Sequence, residues 1–150
     1  MLDSKIVALK LPGPPCVASG SSVRHVIETV QRGRMGAVLV CDGTRVVGIM
    51  TERDVLMKVV ARDVSHDEPV DRFMTRNPQT LTPDRTIGEA IALMNSEGFR
   101  NIPIIDGKTN KPLALFRVRD VIDYLAESFP EEVINLPPKT DQKIKTPEGA

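Results

Sequence analysis

The 150-residue chain balances 20 basic against 20 acidic side chains, so it carries no basic field for holding a nucleic-acid backbone. Aromatic residues are 3% of the chain, too few for stacking platforms along a single strand. The 41% apolar share supports a real core, yet no apolar run approaches bilayer-spanning length, and Cys16, Cys41, His25 and His66 lack a metal-ligand spacing. Both thiols read as small, buried apolar groups of a soluble cytoplasmic protein that uses neither membrane nor nucleic acid.

Residues 1–15 read as an N-terminal extension, with a short apolar stretch between lysines and no cleavage site. A first unit spans residues 16–64. A short extended piece (Cys16–Ala18) leads to Ser22, placed to cap a helix with Val23, Val26, Ile27 and Val30 on one face. The strand "AVLVCD" follows, and an Asp-Gly turn opens a hairpin that "RVVGIM" completes. A last helix begins within "GIMTERDV" and carries Val55, Leu56, Val59 and Val60. Residues 65–78 link this unit to a second, residues 79–128, in which the same order recurs. Thr80–Thr82 is extended, and Thr86 caps a helix with Glu89 at capping-box spacing. Ile87, Ala90, Ile91 and Met94 mark that helix's core face. "NIPIID" and "KPLALF" form the second hairpin, and a helix with Val121, Ile122 and Leu125 closes the unit. In the tail, residues 129–150, "EEVINL" can pack through Val133, Ile134 and Leu136, and the last dozen residues are expected to be disordered.

The two units are copies. An offset of 64 aligns Cys16–Gly43 with Thr80–Gly107, and one of 66 aligns Gly48–Val55 with Ala114–Val121. The extra residues of the second copy fall in the turn-rich "KTNKP". Each β-α-β-β-α unit is too small to stand comfortably alone, so the two are expected to bury apolar surface against each other in an α+β fold.

Thr51-x-x-Asp54 admits two readings. Thr51 can cap the following helix, with Asp54 in its first turn. The same geometry can bind a ligand: the Thr51 hydroxyl donates to a phosphate, and the Asp54 carboxylate accepts from two vicinal ribose hydroxyls, with Ile49 and Met50 walling an adenine slot. In the second copy Arg117 replaces Thr51 and Asp120 replaces Asp54. A guanidinium has only donors, so Arg117 cannot accept a capping bond; it can meet a phosphate, lie in solvent or pair with Asp120. Pro103 within a strand points to an edge or a bulge, and an edge would suit backbone bonds to adenine.

The signatures "GIMTERD", "DRFMTRNPQTLTPDRTIGEA" and "GFRNIPIID", in order and across two copies, resemble the tandem CBS-domain pair (Bateman module) over about residues 16–127. The resemblance implies two β-α-β-β-α repeats packed as a pseudo-twofold pair, with clefts that bind adenine nucleotides or adenosyl compounds (AMP, ADP, ATP, NAD or S-adenosylmethionine). It matches Thr51 and Asp54 to phosphate and ribose positions, Thr80 to a strand threonine near the base, and Arg100 to an arginine that reaches a phosphate. It also implies a homodimer. The function expected is a non-catalytic sensor acting on an unidentified protein effector and needing no further cofactor. The alternative is a structural dimerisation module with its clefts not occupied by nucleotide. No nucleophile–base pair, Walker loop or Gly-rich dinucleotide fingerprint argues for an enzyme.

Overall fold

A computed structural model describes residues 2–128; the tail segment "EEVINL" and the expected disorder beyond it lie outside the described residues. The chain divides into two compact units, residues 1–118 and 119–150. The first holds β1 (Cys16–Ala18), α1 (Val23–Gly33), β2 (Ala37–Asp42), β3 (Arg45–Thr51), α2 (Glu52–Asp54), β4 (Thr75–Arg76), α3 (Ile87–Glu97), β5 (Asn101–Ile105) and β6 (Pro112–Arg117). Helix α4 (Val118–Ser128) falls almost wholly in the second.

The local signals read from the sequence are realised. Ser22 accepts from the His25 backbone N–H at 3.1 Å, and Thr86 and Glu89 form a reciprocal capping box. In the first hairpin Asp42 pairs with Arg45 across Gly43-Thr44, and Gly43 takes φ 64°, the left-handed value that a glycine adopts without strain in a two-residue turn. In the second hairpin, Asp106 accepts from the backbone of Lys108 and Thr109, which accommodates the longer loop.

Strands β1-β2-β3-β4 form one sheet and β5-β6 another, with Leu81 bridging to Ile104 as the counterpart of β1. Side chains of β2 alternate between two apolar layers. Ala37, Leu39 and Cys41 meet Val46, Ile49, Ile105 and Leu115 between the sheets. Val38 and Val40 face Val23, Val26 and Val30 of α1. Register shifts occur at Val40/Cys41 and at Ile104/Ile105, so the duplication extends to the β-bulges. Gly48 lies against Met74: a Cβ there would stand 2.4 Å from the Met74 sulfur, so the close approach requires glycine.

The two copies exchange the segments that precede them. Val70 N–H donates to Ser21 at 2.8 Å, Val23 N–H to Glu68 at 2.9 Å, and Arg24 N–H to His66 at 2.9 Å. Sixty-four positions away in register, Ile6 N–H donates to Arg85 at 2.8 Å, Ile87 N–H to Ser4 at 2.8 Å, and Gly88 N–H to Leu2 at 3.0 Å. Each set satisfies backbone donors at a helix start that the helix itself cannot satisfy. The region read as an extension therefore packs on the second copy, with Ile6 only 2% exposed.

The last helices differ from expectation. After α2 the chain widens into a π-helical stretch, Val55–Val60, in which Val59 is buried while Leu56 and Val60 are exposed. On α4, Val121 is buried and Ile122 is exposed. No helix among the described residues is long and apolar enough to cross a membrane.

Candidate functional site

A cleft of about 790 Å³ opens where three segments of the first unit converge. The first wall is the β3–α2 junction, with Ile49 and Thr51–Asp54, backed by Gly36. The second is Thr75 of β4 and Asn77–Gln79, which follow that strand. The third is Gly98–Asn101, the turn from α3 into β5. Pairing of Ile49 with Thr75 joins the first two walls. Gly98, at φ 74°, ends α3 through its N–H bond to Met94 at 2.9 Å and turns the chain into Phe99 and Arg100. Asn77 also adopts the left-handed conformation, φ 47°, which its short polar side chain tolerates. The volume falls in the range of small-molecule sites.

Both readings of Thr51-x-x-Asp54 coexist in the geometry. Thr51 Oγ1 accepts from the Asp54 N–H at 3.1 Å, and Asp54 Oδ2 accepts from the Thr51 N–H at 3.1 Å: a capping box. Asp54 Oδ1 lies 3.3 Å from Lys58 Nζ. An ionised carboxylate offers about four acceptor positions. One on each oxygen is used, which leaves one on each oxygen for further donors. Thr51 keeps its hydroxyl proton to donate, because in the cap it only accepts. Arg53 and Arg100 line the cleft from two different walls, and Glu52 lines it beside Arg53.

Of the residues singled out in the sequence, the fold gathers Ile49, Thr51, Asp54 and Arg100 around this cleft. Met50 does not line it. Adjacent strand residues point to opposite faces, and Met50 is fully buried on the α1 side of the sheet while Ile49 faces the other way. Thr80 and Pro103 also lie outside the lining. Thr80 precedes the bridge at Leu81. Pro103 sits in β5 opposite Leu115, its carbonyl accepting from Leu81 at 3.1 Å. Arg117 ends β6 opposite Asn101. Asp120, 7% exposed, is the third residue of α4 and belongs to the second unit. The sequence reading missed Gly36, Thr75, Asn77, Pro78, Gln79, Gly98 and Phe99. All but Gly36 lie in or beside "MTRNP" and "GFRN"; Gly36 carried no local signal.

The thiols were both expected to be buried; Cys41 is, and Cys16 is exposed, because it lies on the outer strand β1. Desolvation of its sulfur and the neighbouring Cys41 push the Cys16 thiol up to about 12, and burial raises Cys41 as well. Both stay protonated near neutrality and are poor nucleophiles. Among the described residues there is no cluster of three or more His, Cys, Asp or Glu able to hold a metal.

Comparison with known proteins places this geometry in context. The CBS domain model matches residues 9–61 and 70–127. An uncharacterized 17.7 kDa protein of Acidianus ambivalens is 33% identical over 102 residues, covering 67% of this chain and 60% of its own length. The chain thus spans about three fifths of that relative. A CBS domain protein of Pyrobaculum aerophilum complexed with AMP superimposes with a TM-score of 0.73 at 19% identity, over 88% of this chain and 99% of that one. A CBS domain pair in complex with 5′-methylthioadenosine and S-adenosyl-L-methionine gives a TM-score of 0.72 at 19% identity, over 83% of this chain and 98% of that one.

Proposed function

The chain belongs to the CBS-domain family, and on that footing we propose that its cleft binds an adenosyl ligand and that the protein is a non-catalytic sensor of that ligand. The observation that carries the reading is the Asp54 carboxylate. It stands at a cleft of suitable size with one oxygen held by Thr51 N–H, the other by Lys58, and an acceptor position spare on each. Two spare acceptors on one carboxylate suit the two vicinal hydroxyls of a ribose. Arg53 and Arg100 complement a phosphate or another anionic group on the same ligand. Structural neighbours bound to AMP, methylthioadenosine and S-adenosylmethionine support this ligand class. Because segments from both copies and from the linker between them line the cleft, a ligand would bias their relative arrangement, and that bias is the signal passed to an effector.

Isothermal titration of the folded protein with AMP, ADP, ATP, NAD and S-adenosylmethionine tests the reading. Saturable binding of at least one supports it. Flat titrations with all five would leave a structural dimerisation module as the better description.

A homodimer is part of the proposal. Leu56, Met57 and Val60 stand 56%, 49% and 55% exposed along one short π-helical stretch, an apolar surface that self-association would cover. Leu56→Glu with Val60→Glu is expected to shift a dimer to monomer in light scattering. An unchanged mass would place any association surface elsewhere.

A further inference from the structure

The ammonium of Lys58, itself outside the cleft lining, touches Asp54 of the first wall and Phe73, which precedes the second. Its Nζ lies 3.3 Å from Asp54 Oδ1 and donates to the Phe73 carbonyl at 2.9 Å. The Lys58 side chain is 35% exposed and that of Asp54 is 17% exposed, so this pair is shielded more than a solvated surface pair. Phe73 is followed by Met74, buried against Gly48, and then by β4 and the wall segment Asn77–Gln79. One cation therefore joins the carboxylate at the helix start to the root of the segment that forms the second wall.

We propose that Lys58 is a positioning residue for ribose recognition. It fixes the rotation of the Asp54 carboxylate, and it ties that carboxylate to the linker at Phe73. The capping bond from Thr51 N–H holds one oxygen but leaves the carboxylate free to pivot about it; the Lys58 contact holds the second oxygen and removes that freedom. A carboxylate fixed at both oxygens meets a diol without first losing rotational entropy. This inference rests on reading the cleft as an adenosyl site. Since Lys58 acts through Asp54, its effect should reach only ligands whose ribose hydroxyls touch Asp54.

The test compares AMP and ATP with their 2′,3′-dideoxy counterparts by calorimetry, using wild type, Lys58→Met and Lys58→Arg. Methionine keeps the unbranched apolar stem, and arginine keeps a donor able to reach both acceptors. Lys58→Met should weaken the ribonucleotide that binds wild type roughly tenfold and leave weak binding of its dideoxy analogue unchanged. Lys58→Arg should restore most of the loss. A melting curve confirms that each variant is folded. Wild-type affinity in Lys58→Met, or equal weakening for ribo and dideoxy ligands, would overturn the proposal while leaving the nucleotide reading intact. Failure of wild type to bind any adenosyl ligand would overturn both.

Discussion

Replacing Asp54 with alanine is expected to weaken AMP binding on the order of a hundredfold and to lower the stability of the free protein by about 1 kcal/mol. The two effects have different causes. Stability falls because the carboxylate caps the Thr51 N–H at 3.1 Å and pairs with Lys58 at 3.3 Å. Affinity falls because both acceptors offered to the ribose are lost. Asp54→Asn separates them in large part: its amide oxygen can still cap Thr51, although its NH₂ group no longer pairs with Lys58 and presents donors where the sugar also presents donors. The asparagine variant should therefore melt within a few degrees of wild type and bind almost as poorly as the alanine variant. Full affinity in Asp54→Asn would remove Asp54 from ribose recognition and leave it as a helix cap.

The second large effect is on the fold. Ile6→Ala is expected to cost about 2–5 kcal/mol, the range for truncating a fully buried aliphatic side chain. Ile6 is 2% exposed, and its flanking backbone satisfies the start of α3 through bonds to Arg85 and Ile87. Val7, the next residue, is 62% exposed, so Val7→Ala should change stability by less than about 0.5 kcal/mol. Urea denaturation of the two variants side by side is the measurement. Equal, small losses would show that the segment before Cys16 is not an integral part of the second copy's core.

The sequence made legible whatever depends on near neighbours. Asp42-Gly43, Ser22 and Thr86–Glu89 carry their turn and caps in a few consecutive residues, and each is formed as read. The core faces of α1 and α3 followed from spacing alone, with Val23, Val26, Ile87 and Ala90 fully buried. What depends on distant partners was not legible. The apolar Ile6 has no local reason to be buried; its reason lies at Arg85. Yet the offset of 64, extended upstream of Cys16, pairs Ile6 with Val70 and Pro14 with Pro78. The cleft shows the same division. Thr51, Asp54 and Arg100 stood out by their chemistry, while Asn77, Gln79 and Phe99 line it only because the fold turns their loops inward. Met50 was a different kind of miss. Strand alternation already forbids Ile49 and Met50 from sharing a wall.

The exchange of leading segments also bears on how the chain reaches its native state. Ile6 and Arg85 lie close to eighty positions apart, so a large loop must close before that contact returns any stabilisation. The second copy cannot finish folding on its own, since its helix start waits for a segment from beyond the first. Refolding should be slow and all-or-none, with both copies acquiring protected amides together. While the segment is undocked, the same groove is open to the leading segment of another molecule, which makes domain-swapped association the characteristic error at high protein concentration.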